Sequence, residues 1–174
     1  MDPTKLAVGI GAAALVIGGG IGIKFAVSGK VVTLEGHKDY FGEGKGTKVG
    51  NKFASLLAST DDDVNVSFWS SRVHDLASKT PDITLATDGF FKDAKTDFET
   101  YRDELKKEKS AQTGIEEKAK KAIEKVKGKC KAKYGEDFTD TTISATDKPK
   151  WKEFWEFCSV EGVDKTESMV SSSQ

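Results

Sequence analysis

The two cysteines of this 174-residue chain, Cys130 and Cys158, are the side chains whose chemistry the sequence constrains most. Each lies on the apolar stripe of a predicted helix, so the two sulfurs can meet between helices. We predict a disulfide, which would stabilise the fold by about 3 kcal/mol. Two buried free thiols are the alternative, because unpaired cysteines are common in cores. A metal site lacks ligands, since the two histidines, His37 and His74, are not closely spaced with the cysteines.

Other motifs with catalytic or metal-binding character are weak. His74 and Asp75 are adjacent on a predicted helix and point in different directions, which disfavours an acid–base pair. Residues 61–65, DDDVN, resemble the start of a calcium loop, but Val66 replaces the turn glycine and Arg72 replaces the bidentate glutamate. We therefore expect that the protein is not an enzyme, with no catalytic residue, no bound metal and no cofactor.

The N-terminal residues allow a dinucleotide-binding interpretation. Residues 9–14, GIGAAA, fit the GxGxxG/A pattern, and residues 31–35, VVTLE, resemble a second strand that ends in an acid. The crossover helix would then contain the glycines at 18–20 and 22, each of which costs up to about 1 kcal/mol relative to alanine. No further βαβ pattern follows, so we favour a membrane segment instead.

The apolar run from Leu6 to Ile23, LAVGIGAAALVIGGGIGI, predicts an N-terminal transmembrane helix. As a helix its 18 residues would span about 27 Å, close to the ~30 Å hydrocarbon core. Lys24 can snorkel to the headgroups, which lets residues 25–27 extend the span. The large apolar side chains of this membrane anchor are Leu6, Ile10, Leu15, Ile17, Ile21 and Ile23.

Small residues recur on one face of the same run. Ala14, Gly18 and Gly22 form a small-xxx-small ladder, which allows a second membrane helix to pack closely. We therefore expect that this face could mediate oligomerisation or contact with a membrane-protein partner. The alternative to an anchor is a signal peptide cleaved after Ser28, but the apolar run is longer than the usual 7–15 residues.

Two arguments predict on which side of the membrane the domain lies. Positive charges flank the run on both sides, so the positive-inside rule does not decide the orientation. The five leading residues resemble an n-region, and a disulfide persists in an oxidising compartment. We expect a single-pass protein of the cell membrane with an extracytoplasmic domain.

Charge is unevenly distributed along a chain whose formal net charge is −1. Residues 106–133 hold eleven lysines and four glutamates, which is typical of solvated helix faces. A polyanion or lipid-headgroup patch is the alternative interpretation. Because residues 116–133 contain neither arginine nor interleaved aromatic side chains before Tyr134, we expect no nucleic-acid partner.

Apolar residues at helical spacing predict helices that include Val49, Val66, Phe91, Ile115 and Trp151. The predicted fold class is mainly α: an N-terminal transmembrane helix followed by a small antiparallel helical bundle. Minor short strands are allowed at 31–34 and 83–86. The predicted divisions are a membrane anchor or signal-like segment at 1–27, a Gly-rich linker at 28–48, a helical extracytoplasmic domain at 49–162 and a disordered tail at 163–174.

The Gly/Ala-rich anchor, the lysine-rich helix with a cysteine and the closing segment from Trp155 to Val160, WEFCSV, resemble a known group. They resemble the large paralogous families of small uncharacterised membrane-anchored proteins of haemotropic mycoplasmas. Those families usually place tryptophan before the last cysteine, where this chain has Phe157. The resemblance implies a surface protein of a wall-less bacterium, with a role in host-cell contact or antigenic diversity.

Two function classes follow from the sequence. The first is a non-enzymatic, membrane-anchored surface protein that presents a helical domain. The alternative is an envelope-associated accessory subunit that binds lipid headgroups or a membrane partner.

Overall fold

The computed structural model of the chain describes residues 30–35, 47–61, 64–138 and 143–171. The predicted anchor residues and the Ala14, Gly18 and Gly22 ladder lie outside these ranges. Within the ranges, no helix is both long and apolar enough to cross a membrane. The described part is mainly helical, as predicted, and its α-helices are α1 Val49–Lys52, α2 Val66–Ala77, α3 Lys95–Leu105, α4 Ile115–Tyr134, α5 Lys148–Cys158 and α6 Thr166–Ser171.

Helices α3 and α4 form an antiparallel hairpin that is fixed by charged contacts at both ends. Glu104, near the end of α3, pairs with Lys118 in the first turns of α4. Asp93, just before α3, pairs with Lys129 near the end of α4. Helix α2 packs on both members of the hairpin, which gives the helical bundle that the apolar stripes predict.

Helix α5 brings an aromatic face to this bundle and closes one core. Pro149 lies in its first turn, where the missing N–H costs no hydrogen bond. The Phe157 ring lies 4.8 Å from that of Phe91 in a tilted arrangement and meets Phe98 edge to face at 5.4 Å, measured between ring centroids. The six aromatic residues that the stripes place in the core are all buried in one cluster: Trp69, Phe91, Phe98, Tyr101, Trp151 and Trp155.

The two segments allowed as short strands do not form strands, because the described residues contain only isolated bridges. Thr33 bridges Ala58, and Leu57 bridges Ser159 on the other side, both antiparallel. Each pairing extends over one or two residues, too short for a ladder. Residues 83–86 pair with no described strand and are held by side chains from α3 and α5.

Two predicted boundaries differ from the structure. Leu34, within the predicted linker 28–48, is 3% exposed, and its N–H donates to Leu57 O at 3.0 Å. Residues 166–171, in the predicted disordered tail, form α6. Met169 is 4% exposed and accepts a hydrogen bond from Trp155 Nε1 at 3.1 Å. Thr166 is also buried, and Glu167 pairs with Lys148 at 2.7 Å, so several contacts dock this polar segment.

Candidate functional site

The predicted disulfide is present and links the end of α4 to the end of α5. Cys130 and Cys158 are bonded across a Cα–Cα distance of 5.6 Å, and both residues are fully buried. The Tyr134 hydroxyl lies beside the bridge, with Ala58 O at 3.0 Å and Cys158 O at 3.2 Å. The bridge therefore holds α4, α5 and the segment before α2 together.

Asn65 holds the first described segment, residues 30–35, against the start of α2. It adopts the left-handed conformation, with φ of 59°, immediately before α2. Its side-chain Oδ1 accepts the Val32 N–H at 2.9 Å, and its Nδ2 donates to Val32 O at 2.7 Å and Ser59 O at 3.1 Å. The Ser59 N–H also donates to Val32 O at 2.9 Å. Val32 is thus held on both its backbone groups.

Two half-exposed valines lie beside these hydrogen bonds of Asn65. Val32 and Val66 are each 43% exposed. The sequence pattern predicts a buried Val66, but α2 begins at this residue and turns it outward. Lys30 is exposed, and Lys127 Nζ donates to Asp61 O at 3.0 Å at the same end of the bundle. We call this surface the Asn65 face, and its residues are Lys30, Val32, Asn65 and Val66.

Arg72 connects α2 to the end of α5. Its guanidinium donates to Glu156 O at 2.5 Å, in the last turn of α5, and to Val160 O at 2.9 Å, just after the helix. A Cβ at Gly162, where φ is +66°, would lie 2.3 Å from Arg72 Nη1. Sequence reasoning missed this role, because the partners are more than eighty residues away.

The candidate catalytic residue His74 and the described part of the 61–65 segment contact neighbouring side chains. His74 Nδ1 and the buried Tyr101 hydroxyl are 2.9 Å apart, and burial lowers the pKa of His74 and raises that of Tyr101. Asp61 Oδ2 accepts from Ser59 Oγ at 3.3 Å, while residues 62–63 lie outside the described ranges. Across the described residues, no group of three histidine, cysteine or acidic side chains could hold a metal.

A cleft of about 230 Å³ lies between α3 and the start of α4. Its lining is polar and of mixed charge, so it lacks the apolar walls typical of small-molecule sites. The lining residues are Asp97, Thr100, Gly114, Glu117, Lys118 and Lys121.

These features define a small helical bundle with a buried disulfide, in which Asn65 holds the backbone of Val32. Compared with protein-family models, with curated proteins and with solved structures, the chain matches none of them.

Proposed function

We propose that this chain is a non-enzymatic, single-pass surface protein that presents its helical bundle on the extracytoplasmic side of the cell membrane. The Cys130–Cys158 bridge carries the proposal, because disulfides form and persist in oxidising compartments and are rare in the cytosol. Both sulfurs are fully buried between helices, so the bridge belongs to the packed fold and not to an exchange site.

The apolar run at residues 6–23 supplies the anchor in this proposal. A docked domain follows it closely, because Val32 is already held by Asn65. The resemblance to the paralogous families of haemotropic mycoplasmas supports a role in host-cell contact or antigenic diversity. In such a role the bundle serves as a stable scaffold and its exposed side chains carry the variation.

The accessory-subunit alternative depends on the lysines of α4, and their contacts make it weaker. Residues 125–134 contain five lysines and no acid. Lys129 pairs with Asp93, Lys133 pairs with Glu136, and Lys127 donates to a backbone carbonyl. These three charges are therefore already used within the domain, which leaves less for lipid headgroups.

Cell fractionation combined with thiol labelling tests the proposal. The full-length chain should stay in membranes through a carbonate wash and should react with an impermeant amine label on intact cells. Without reductant, a maleimide should modify neither cysteine under denaturing conditions. The Cys158→Ser variant is the positive control, because its Cys130 should then be modified.

Three outcomes would contradict the proposal. A soluble chain that begins at Gly29 would show cleavage and secretion instead of anchoring. A membrane-bound chain that is labelled only after lysis would place the domain inside. Complete modification of both cysteines in freshly denatured cells would remove the argument for an oxidising compartment.

A further inference from the structure

The tether between the proposed anchor and the domain is short. Five residue steps separate Val27, where the predicted span ends, from Val32, which Asn65 and Ser59 hold. Fully extended, these residues reach about 18 Å. The headgroup region takes up about 5–8 Å of that length on each side of the bilayer. Helix α4 alone, with 20 residues, is about 30 Å long. The tether is therefore shorter than the domain.

The position of the Asn65–Val32 hydrogen bonds in the bundle determines which end of the bundle lies near the membrane. Lys127, in the second half of α4, reaches Asp61 just before α2, so this half of α4 lies beside the Asn65 face. The hairpin tip, residues 105–114, lies at the other end of α4, next to the Glu104–Lys118 pair. A tether attached at Val32 consequently holds the Asn65 face toward the bilayer and the tip away from it.

The chemistry of the Asn65 face suits the headgroup region of a bilayer. Among the described residues, three large apolar side chains are exposed, and two of them, Val32 and Val66, border Asn65. Exposed Lys30 is suited to snorkelling. The acidic run at residues 61–63 is close by in sequence and opposes binding to anionic lipid.

We infer that the Asn65 face docks onto the zwitterionic headgroup region of the bilayer that holds the anchor, so that the bundle stands with its hairpin tip outermost. This inference rests on the proposed function. The contact needs little intrinsic affinity, because a short tether raises the effective concentration to the order of millimolar. The tip is then the part of the domain that is offered to an extracellular partner.

Fluorescence quenching in nanodiscs tests the inference with the full-length chain. The native cysteines are bridged and buried, so a thiol-reactive fluorophore attaches to one added cysteine, at Ser67→Cys near the Asn65 face or at Ser110→Cys on the tip. The discs contain phosphatidylcholine with a nitroxide on its headgroup. We expect quenching at residue 67 to exceed that at residue 110 by about threefold or more, because the quencher acts only near the headgroups.

A second arm separates docking from tethering. The pair Val32→Asp and Val66→Asp should reduce quenching at residue 67 by about half, because charge disfavours insertion of these side chains. Val163→Asp is the matched control, since Val163 is also exposed, at 54%, but does not belong to the Asn65 face. If the aspartates lower the thermal midpoint, serines at both positions replace them.

Each failure has its own meaning. A chain that elutes without lipid would overturn the proposed function and this inference together. A chain that enters the discs but is quenched equally at residues 67 and 110 would overturn the orientation alone. Strong quenching at residue 67 that survives both the aspartate and the serine pairs would show tethering without docking. Quenching that rises when anionic lipid is added would contradict the zwitterionic assignment.

Discussion

Two buried glutamates hold two segments that lie outside the α-helices of this bundle, and the pKa values of their carboxyl groups shift in opposite directions. Glu104, at the end of α3, is 2% exposed and holds the hairpin tip. Glu153, in α5, is 8% exposed and holds the extended segment that precedes α3. The pKa of Glu104 is lowered to about 2, whereas the pKa of Glu153 is raised.

The hydrogen-bond donors around each carboxylate explain the difference. Glu104 pairs with Lys118, accepts from Lys107 at 3.0 Å, and accepts the Thr113 N–H at 2.7 Å. Donors of this kind favour the charged form, and the Lys118 hydrogen bond lowers the pKa of Glu104 most.

Glu153 has fewer donors than Glu104. Its Oε1 accepts the Ala86 N–H at 2.8 Å, but its buried Oε2 accepts no hydrogen bond from a described residue. Burial is the largest cause of its raised pKa, and the charges of Glu156 and Asp88 raise it further while that of Lys95 lowers it. Both carboxyl groups are buried, yet their pKa values shift in opposite directions, because Glu104 has more hydrogen-bond donors around it than Glu153.

The largest effect should come from Glu104→Ala. This change leaves Lys107, Lys118 and the Thr113 N–H without their shared acceptor, so the tip should loosen and the unfolding midpoint in urea should fall strongly. In the native protein the stabilisation by Glu104 is present above its unfolded-state pKa of 4.5 and is lost as the pH falls toward about 2. Urea unfolding between pH 2 and 7 measures both effects.

Glu108→Ala is the control for Glu104, since Glu108 is exposed on the same loop. It should change stability by less than about 0.5 kcal/mol. Equal losses from the two substitutions would show that the Glu104 network contributes nothing specific.

A smaller loss is expected from Gly89→Ala, next to Glu153. A Cβ at this position would lie 2.8 Å from Glu153 Oε2 and 3.1 Å from Ala86 Cβ, so the held segment must shift. We expect a destabilisation of about 1–3 kcal/mol, typical of overpacking. The matched control is Gly128→Ala in α4, where a Cβ meets nothing within 4 Å. That change should stabilise by about 0.5–1 kcal/mol, and a loss at both positions would contradict the argument.

Strong periodicity made part of the fold predictable. The stripes of α3, α4 and α5 repeat over several turns, and they placed both cysteines on buried faces that the disulfide joins. The apolar pattern of α2 gives a wrong expectation only at the start of the helix, because Val66 is its first residue and faces outward. A periodic pattern therefore predicts a helix better than it predicts where the helix begins.

Residues that act over long sequence separations could not be predicted. The sequence shows Asn65 only as part of a weak resemblance to a calcium loop, but its side chain binds a backbone 33 residues away. The sequence contains a weak signal that Glu153 and Glu104 are buried. Glu153 lies four residues before the buried Phe157, and Glu104 lies three after the buried Tyr101, so each is on the buried face of its helix. The opposite directions of their pKa shifts depend on donors that only the tertiary structure brings together.

The smallest effect, and the sharpest test of the comparison, should come from Glu153→Gln. The amide keeps an oxygen for the Ala86 N–H and places a neutral group where Oε2 is buried without a donor. Because the folded-state pKa is raised above 4.5, the stability of the native protein falls as the pH rises from 4.5 through that folded-state value. The variant lacks this fall. Its free energy of unfolding should therefore exceed that of the native protein by about 1 kcal/mol at pH 8 and equal it near pH 4.5. Urea unfolding at the two pH values, with Glu161→Gln as an exposed control, measures it. A gain that is the same at both pH values, or a loss at pH 8, would show that Glu153 is stabilised as a carboxylate like Glu104.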